Sequence, residues 1–397
     1  MAYTYAKVNK NTIKFIRIQR NVSFDYIKRI SKFAHDKVEL WEDVESDKWP
    51  TINQAKALAK CYHVPFAGFY MNPEDINVKH IPQINNKRTL VDAITDETAV
   101  NLAVLDLIYA RDYYVEIKNE FNEIIPDFKL KMTGNDVVSW AKGIRKYLNI
   151  NIDEQYRMTS TRKFYLYLRE KIEEKGVYVQ CFEGVTPEIM RGLAIYDGGV
   201  PIIGINDDDR YPAKIFTMLH EMVHIIKRSS SMCNEINNSY LGDIEEIFCN
   251  AVAGEILIPT NILICDYDGL DDSDFDLLKV DKIAKRFSVS SEVTARRLFD
   301  VGICSKSWYR EVSNALNDRF LRTKEEAKQQ RLESGKSGIP RNMPREAVDR
   351  TSSDMCRILV KGYSEGFFDK SDIAKCVGIK EKHINGFIGE VLKWYRQ

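Results

Sequence analysis

The feature that most constrains this chain is an almost uninterrupted apolar run, FTMLHEMVHIIK, from Phe216 to Lys227. Apolar residues would lie on nearly every side of a helix through this run, which predicts a buried helix. His220 and His224 are four residues apart, so both imidazoles project from one face of that helix. Buried imidazoles without partners are energetically costly, and a shared metal ion is a partner that removes this cost.

The pattern His220, Glu221, His224 has the H-E-x-x-H spacing in which two imidazoles bind zinc and the glutamate acts as a base. The chain has 6 histidines, so an accidental match is expected on the order of once in a hundred such sequences. We therefore favour a metal site over two histidines that are merely satisfied inside a protein core.

A catalytic zinc ion takes three protein ligands and leaves a fourth position for water, so the histidine pair needs a partner. The run IEEIFCNAVAGEILIP has helical periodicity and places Glu246, Cys249 and Asn250 on one face. We predict Glu246 as the third ligand, with Glu245 as the nearest alternative.

Length and composition set the broad class. A chain of 397 residues with 44% hydrophobic and 29% charged residues predicts a globular protein of two or three domains. The N-terminal residues lack the apolar segment of a secretory signal, and no run reaches the length of a membrane span, so we expect a cytoplasmic protein. Eight scattered cysteines without a C-x-x-C pair predict reduced thiols. The net charge is zero. Any affinity for nucleic acid must therefore come from a local patch of basic residues.

The segments KIFTMLHEMVHI and EIFCNAVAGEILIP, preceded by PIIGIN, resemble the ImmA/IrrE family of zinc metallo-endopeptidases. The similarity covers roughly residues 135 to 300. It implies Zn²⁺ as cofactor, ligands at His220, His224 and Glu246, and Glu221 as the catalytic base. Cys249 is a departure, because the family usually has alanine there.

The resemblance also implies a mechanism and a fold. Zinc would activate a water molecule, and Glu221 would take its proton and pass it to the leaving amine. Tyr240 and Arg191 are conceivable donors to the developing oxyanion, but neither is assigned. The implied fold class is α+β and predominantly helical, with a zincin-like peptidase domain that contains a small antiparallel sheet and is flanked by helical modules.

Five parts of the chain follow from these patterns. They are an Xre-like helix-turn-helix domain (1–75), a helical connector (76–134), the peptidase domain with an appended helical pair (135–310), a basic flexible linker (311–345) and a small C-terminal helical domain (346–397).

The first part resembles the Xre-type helix-turn-helix that often precedes an ImmA/IrrE domain, although Lys28 and Lys32 stand where small residues are usual. Carboxylates crowd the segment that would enter a DNA groove, which opposes approach to phosphates. These are Asp36, Glu39, Glu42, Asp43, Glu45 and Asp47. Protein docking or a structural role is an equal alternative to DNA binding here.

Two further segments have helix-turn-helix character. The run IAKRFSVSSEVTARRLF (283–299) is better interpreted as a packing pair of helices. Near the C-terminus, SDIAKCVGIKEKHINGFI has small and turn residues at suitable positions and is basic. A plain helical bundle would need the same residues.

Two functions are therefore hypothesised. The first is a zinc endopeptidase that cleaves a specific regulatory protein, and the resemblance points to a transcriptional repressor. The second is a DNA-binding regulator or an antitoxin-like binding protein, in a toxin–antitoxin or prophage setting, with a structural or weakly active zinc site. The expected partners are a protein substrate or a toxin, with possible DNA contact and no membrane.

Overall fold

The computed structural model describes residues 4–76, 85–86, 97–233, 244–268, 277–334 and 341–394. Most of these residues are helical and they surround one small sheet. The predicted α+β, predominantly helical class is confirmed.

Four short helices and two 3-10 turns form the N-terminal part. They are α1 (Lys10–Gln19), α2 (Phe24–Ser31), α3 (His35–Glu42) and α4 (Ile52–Cys61), with turns at Phe66–Tyr70 and Pro73–Asp75. Ser23 and Thr51 begin α2 and α4, because their side-chain oxygens accept backbone N–H groups of the first turn. Arg17 Nε donates to Oε1 of the buried Glu42 at 2.8 Å. Of the six carboxylates from Asp36 to Asp47, Glu42 is therefore turned inward, while the other five are exposed.

The sheet contains five short strands in the spatial order β1-β5-β3-β4-β2. The strands are β1 (Asn85–Asn86), β2 (Tyr178–Phe182), β3 (Gly192–Ile195), β4 (Ile202–Asn206) and β5 (Ser231–Cys233). β3 pairs antiparallel with β4 and β5, but β2 runs parallel to β4 and β1 runs parallel to β5. The sheet is thus mixed and not antiparallel as predicted. The reason is that the chain crosses over between β2 and β3. β4 therefore lies between these two strands in the sheet, and the strands do not form a simple series of hairpins.

The helix α5 (Glu97–Glu120) is the element that joins the N-terminal part to the sheet. Its 24 residues include 13 buried ones, and it packs against β2 and β4. Leu107 lies so close to Gly204 of β4 that a Cβ at residue 204 would overlap it. The N-terminal helices, α5 and one side of the sheet share a continuous hydrophobic core.

A second hydrophobic core lies around the helices that follow. They are α6 (Val137–Tyr147), α7 (Ile152–Tyr156), α8 (Thr161–Glu173), α9 (Tyr211–Ile226), α10 (Ile244–Leu257), α11 (Thr260–Asp268), α12 (Leu277–Phe287) and α13 (Ser291–Asp300). α9 packs against α8, α10, β3 and β4, and every residue from Lys214 to Ile226 is buried. The prediction of a buried helix at Phe216 to Lys227 agrees with this arrangement.

The helices α12 and α13 correspond to the second helix-turn-helix pattern and pack on the core. Arg297 of α13 is 3% exposed and forms an ion pair with Glu255 of α10. Its Nε also donates to the Ile258 carbonyl at 3.3 Å. These contacts are those of a packing pair of helices, which is the interpretation favoured from the sequence.

Residues Lys306–Ser334, most of which fall within the predicted linker 311–345, form one helix, α14. Helix-forming Glu, Lys, Arg, Gln and Ala dominate this stretch, and glycine and proline are confined to the residues that follow it. Tyr309 OH donates to Glu292 Oε1 at 2.9 Å and anchors the start of α14 to α13. Residues 335–340 of the predicted linker lie outside the described residues.

The C-terminal helices pack directly on the sheet and on α8. They are α15 (Met343–Arg350), α16 (Ser353–Ser364), α17 (Lys370–Val377) and α18 (Ile384–Trp394), with a 3-10 turn at Glu381–His383. Arg169 of α8 is 1% exposed, and its guanidinium donates to the carbonyl oxygens of Val348 and Asp349 at 3.0 and 2.8 Å. Glu173 accepts the N–H groups of Ser353 and Asp354, each at 3.2 Å, at the start of α16.

Candidate metal centre

The site is built on α9, where the local sequence favours a helix that is buried throughout. Pro212 occupies the first turn, where its missing N–H costs nothing. His220 is 3% exposed, and Glu221 and His224 are fully buried. The histidines are one turn apart, and their Nε2 atoms lie 3.2 Å from each other.

Helix α10 brings a carboxylate to this pair. Glu246 Oε2 lies 3.1 Å from His220 Nε2, and Glu246 Oε1 lies 3.3 Å from His224 Nε2. Glu245 points elsewhere, because its Oε1 lies 3.3 Å from Lys227 Nζ. Of the two glutamates considered from the sequence, Glu246 is thus the one that meets the histidines.

These separations fit a tetrahedral zinc ion. Ligand atoms about 2.0–2.1 Å from zinc at tetrahedral angles lie about 3.3 Å from one another. The three contacts among His220, His224 and Glu246 span 3.1 to 3.3 Å. Within the described part of the chain, these three residues are also the one group of His, Cys, Asp and Glu side chains with metal-site spacing. The donor set and its dimensions therefore fit the metal that the sequence predicts.

Hydrogen bonds alone explain the arrangement of His220, His224 and Glu246 less well than a bound cation does. If each imidazole donates an Nε2–H to Glu246, the two N–H groups of His220 and His224 face each other across 3.2 Å. Two donors at that distance repel. A cation bound by both nitrogen lone pairs removes the conflict.

The outer nitrogen of His224 has a partner that orients the ring. Ser229 Oγ lies 3.3 Å from His224 Nδ1 and also donates to the His224 carbonyl oxygen at 3.3 Å. A proton on Nδ1 that is donated to Ser229 leaves the Nε2 lone pair directed at the site. Cys249 lies behind the same ring, with Sγ 4.0 Å from Nδ1. Burial raises the pKa of the Cys249 thiol, so this sulfur stays protonated and outside the ligand set.

The charges of the cluster are strongly coupled. Burial on its own would raise the pKa of Glu246, but hydrogen bonds from His220 and His224 hold it well below its usual range. Burial on its own would lower the pKa of His220, but Glu246, Glu221 and Asn250 raise it. The pKa directions of His220 and Glu246 thus favour a positive imidazole beside a negative carboxylate, and a divalent cation can take the place of that positive charge.

Glu221 follows His220 on α9, and its side chain contacts two strands of the sheet. Its Oε2 accepts a hydrogen bond from Ser231 Oγ of β5 at 3.1 Å. On its other side is Gly192 of β3, where a Cβ would lie 2.8 Å from Glu221 Oε1 and would overlap Thr217. Neither Ser231 nor Gly192 was singled out from the sequence. Nothing in the spacing of the run RSSSMC distinguishes one serine from the next.

Arg191 and Tyr240 are the two side chains considered from the sequence as oxyanion donors. Arg191 Nη1 donates to Asp209 Oδ1 at 2.7 Å, so the guanidinium belongs to an ion pair beside β3. Tyr240 lies outside the described residues. An oxyanion donor is therefore still unassigned.

Two general observations concern the thiols and the helices of the described residues. Seven cysteines with described side chains are free thiols; these are Cys61, Cys181, Cys249, Cys265, Cys304, Cys356 and Cys376. Among the described residues, none of the helices combines the length and the apolar character that crossing a membrane requires.

Comparison with known proteins identifies part of the chain. A search of curated proteins found no match. Residues 172–299 match the family model Peptidase_M78, described as the IrrE N-terminal-like domain. This segment holds β2 to β5 and α9 to α13, and with them His220, Glu221, His224 and Glu246. The central segment of this chain is thus similar to the IrrE N-terminal-like peptidase domain, which points to a metallopeptidase that acts on protein.

Proposed function

We propose that this protein is a zinc-dependent endopeptidase that cleaves a specific regulatory protein. The observation that carries the proposal is the convergence of His220, His224 and Glu246, with ligand atoms 3.1 to 3.3 Å apart. The match of residues 172–299 to a peptidase family model supports the same chemistry. A transcriptional repressor as substrate follows from the family resemblance alone.

Zinc at this site would lower the pKa of a coordinated water molecule and polarise the scissile carbonyl group. His220, His224 and Glu246 would hold it from one side. Glu221 would accept the proton of the attacking water and later deliver it to the leaving amine. The full burial of Glu221 keeps bulk water from competing for that carboxylate.

The proposal is tested by searching a proteome for new N-termini that cleavage by this protein creates. Zinc-loaded wild-type protein and the Glu221→Gln variant are each incubated with a lysate of the source cells, and new N-termini are identified by mass spectrometry. We expect a small set of cleavages that is present with the wild type and absent with the variant. Identical sets from the two proteins, or no cleavage by the wild type, would contradict an endopeptidase.

DNA binding is a second candidate, and the C-terminal helices favour it more than the N-terminal ones do. Gly378 ends α17 in the left-handed conformation at φ 70°, as a tight turn between two helices requires. Lys375, Lys380 and Lys382 around this turn are exposed. In the N-terminal part, by contrast, the exposed side chains of α3 include Asp36 and Glu39, which oppose phosphate.

A gel-shift experiment with the DNA around the protein's own gene tests this candidate. Phosphate contacts predict a shift at low salt that weakens steeply as salt is added. Absence of a shift at low salt would exclude the DNA-binding regulator. An antitoxin-like role would instead require a stable complex with a toxin encoded nearby.

A further inference from the structure

The run Ser229, Ser230, Ser231 directly follows the metal helix, and its three hydroxyl groups have three different partners. Ser229 contacts His224, as described above. Ser230 Oγ accepts the backbone N–H of Tyr196 at 2.9 Å and so fixes the end of β3. Ser231 Oγ donates to Glu221 Oε2 at 3.1 Å. Ser229 and Ser231 thus contact side chains of the site, whereas Ser230 bonds to the backbone of Tyr196.

The contact between Ser231 and Glu221 lies inside the protein. Ser231 is 1% exposed and Glu221 is fully buried. A hydrogen bond to a charged group is stronger than one between neutral groups, and more so where water is excluded. This hydroxyl therefore restricts the rotation of the carboxylate considerably.

The strand pairing places a second constraint on the same carboxylate. Ser231 pairs with Ala194, and Gly192 pairs with Cys233, in the antiparallel ladder of β3 and β5. A side chain at residue 192 would meet Glu221 Oε1. β5 thus supplies a hydroxyl donor to Glu221, and β3 leaves room for the carboxylate at a position that has no side chain.

We propose that Ser231 is a positioning residue for the general base Glu221. By donating to Oε2, it fixes the plane of the carboxylate, so that the group faces the reacting water in the same orientation at each turnover. Ser231 is not one of the three proposed ligands and acts through Glu221. This inference rests on the proposed function and adds to it the means by which the base is held.

The experiment compares Ser231→Ala, Ser231→Thr and the matched control Ser230→Ala. The probe is a synthetic peptide that spans a cleavage site found in the proteome experiment. We expect Ser231→Ala to lower kcat about 10- to 100-fold, the range typical of outer-shell partners, with KM and zinc affinity unchanged. Ser231→Thr keeps the hydroxyl and should restore most of kcat. Ser230→Ala should retain wild-type kcat.

A double substitution separates positioning from a general structural role. In the Glu221→Gln background the carboxylate is already absent, so adding Ser231→Ala should cause no further loss of residual kcat. An equal loss in both backgrounds would overturn the proposal, and so would wild-type kcat in Ser231→Ala alone.

A second readout does not depend on activity. Crystal structures of the zinc-loaded wild type and Ser231→Ala should show the Glu221 carboxylate rotated in the variant. An unchanged Glu221 rotamer would overturn the role of Ser231 even if the wild type cleaves no peptide. Absence of cleavage by the wild type would instead count against the endopeptidase function.

Discussion

The Nε2 atoms of His220 and His224 lie 3.2 Å apart, and both face the carboxylate of Glu246. This triangle has the dimensions of a tetrahedral zinc site. The two helices that supply it, α9 and α10, pack against each other. The positions of these three side chains are thus set by the packing of the two helices.

Glu246→Gln should weaken zinc binding at least about 100-fold, because it removes the charged member of the ligand set. Glu245→Gln is the matched control, since Glu245 is the adjacent carboxylate and pairs with Lys227 instead. Zinc affinity is measured by competition with a chromophoric chelator. Equal weakening by the two substitutions would mean that Glu246 is not a ligand.

Glu221→Gln should retain zinc and lose peptide cleavage by about 10²- to 10⁴-fold, the usual contribution of a general base. Glutamine keeps the shape of the side chain but cannot accept a proton at this step. Zinc content by atomic absorption and kcat on the identified peptide are measured on the same samples. A variant that has lost its zinc would show that Glu221 supports the metal and not the proton transfer.

Gly192→Ala should destabilise the protein by about 1–3 kcal/mol, as overpacking in a core does. The added Cβ would overlap Thr217 and lie 2.8 Å from Glu221 Oε1. Gly389→Ala is the control, because a Cβ there would meet no atom within 4 Å and the residue lies inside α18. Urea unfolding should show a lower free energy of unfolding for Gly192→Ala. For Gly389→Ala the free energy of unfolding should be unchanged or slightly higher.

The end of α5 is fastened to α16 by charges, and this contact should make stability sensitive to acid. Hydrogen bonds from Arg357 above all, and from Lys361 and Lys118, hold the pKa of Glu123 well below its usual value. A depressed pKa in the folded state contributes stability above the unfolded value of 4.5, and this stability is lost as the pH falls further. We expect the melting temperature of Glu123→Gln to depend less on pH below about 5 than that of the wild type. If the melting temperatures of the two proteins changed with pH in parallel, this role of Glu123 would be contradicted.

The convergence of His220, His224 and Glu246 could be predicted from the sequence because much of it depends on local geometry. A spacing of four residues on a helix fixes the relation of His220 to His224 whatever the rest of the chain does. The pattern of α10 limited the third ligand to two adjacent glutamates. The tertiary structure distinguishes the two glutamates, because Glu245 pairs with Lys227 and not with the histidines.

Features that depend on distant residues could not be predicted in the same way. The parallel pairing of β2 with β4 depends on a crossover connection, and strand composition does not encode it. The role of Ser231 depends on which of three consecutive serines faces Glu221 across the ladder. The division of the chain into five parts is still a prediction.

The attachment of Arg169 to the C-terminal helices has a consequence for biosynthesis. The side chain is fully buried only because the carbonyl groups of Val348 and Asp349 receive it, and Tyr211, at the start of α9, donates to the Asp349 carboxylate. These partners emerge from the ribosome after the whole peptidase segment. We therefore expect α8 and the start of α9 to reach their final packing only after Val348 and Asp349 have left the ribosome, later than the synthesis of α9 and α10 themselves.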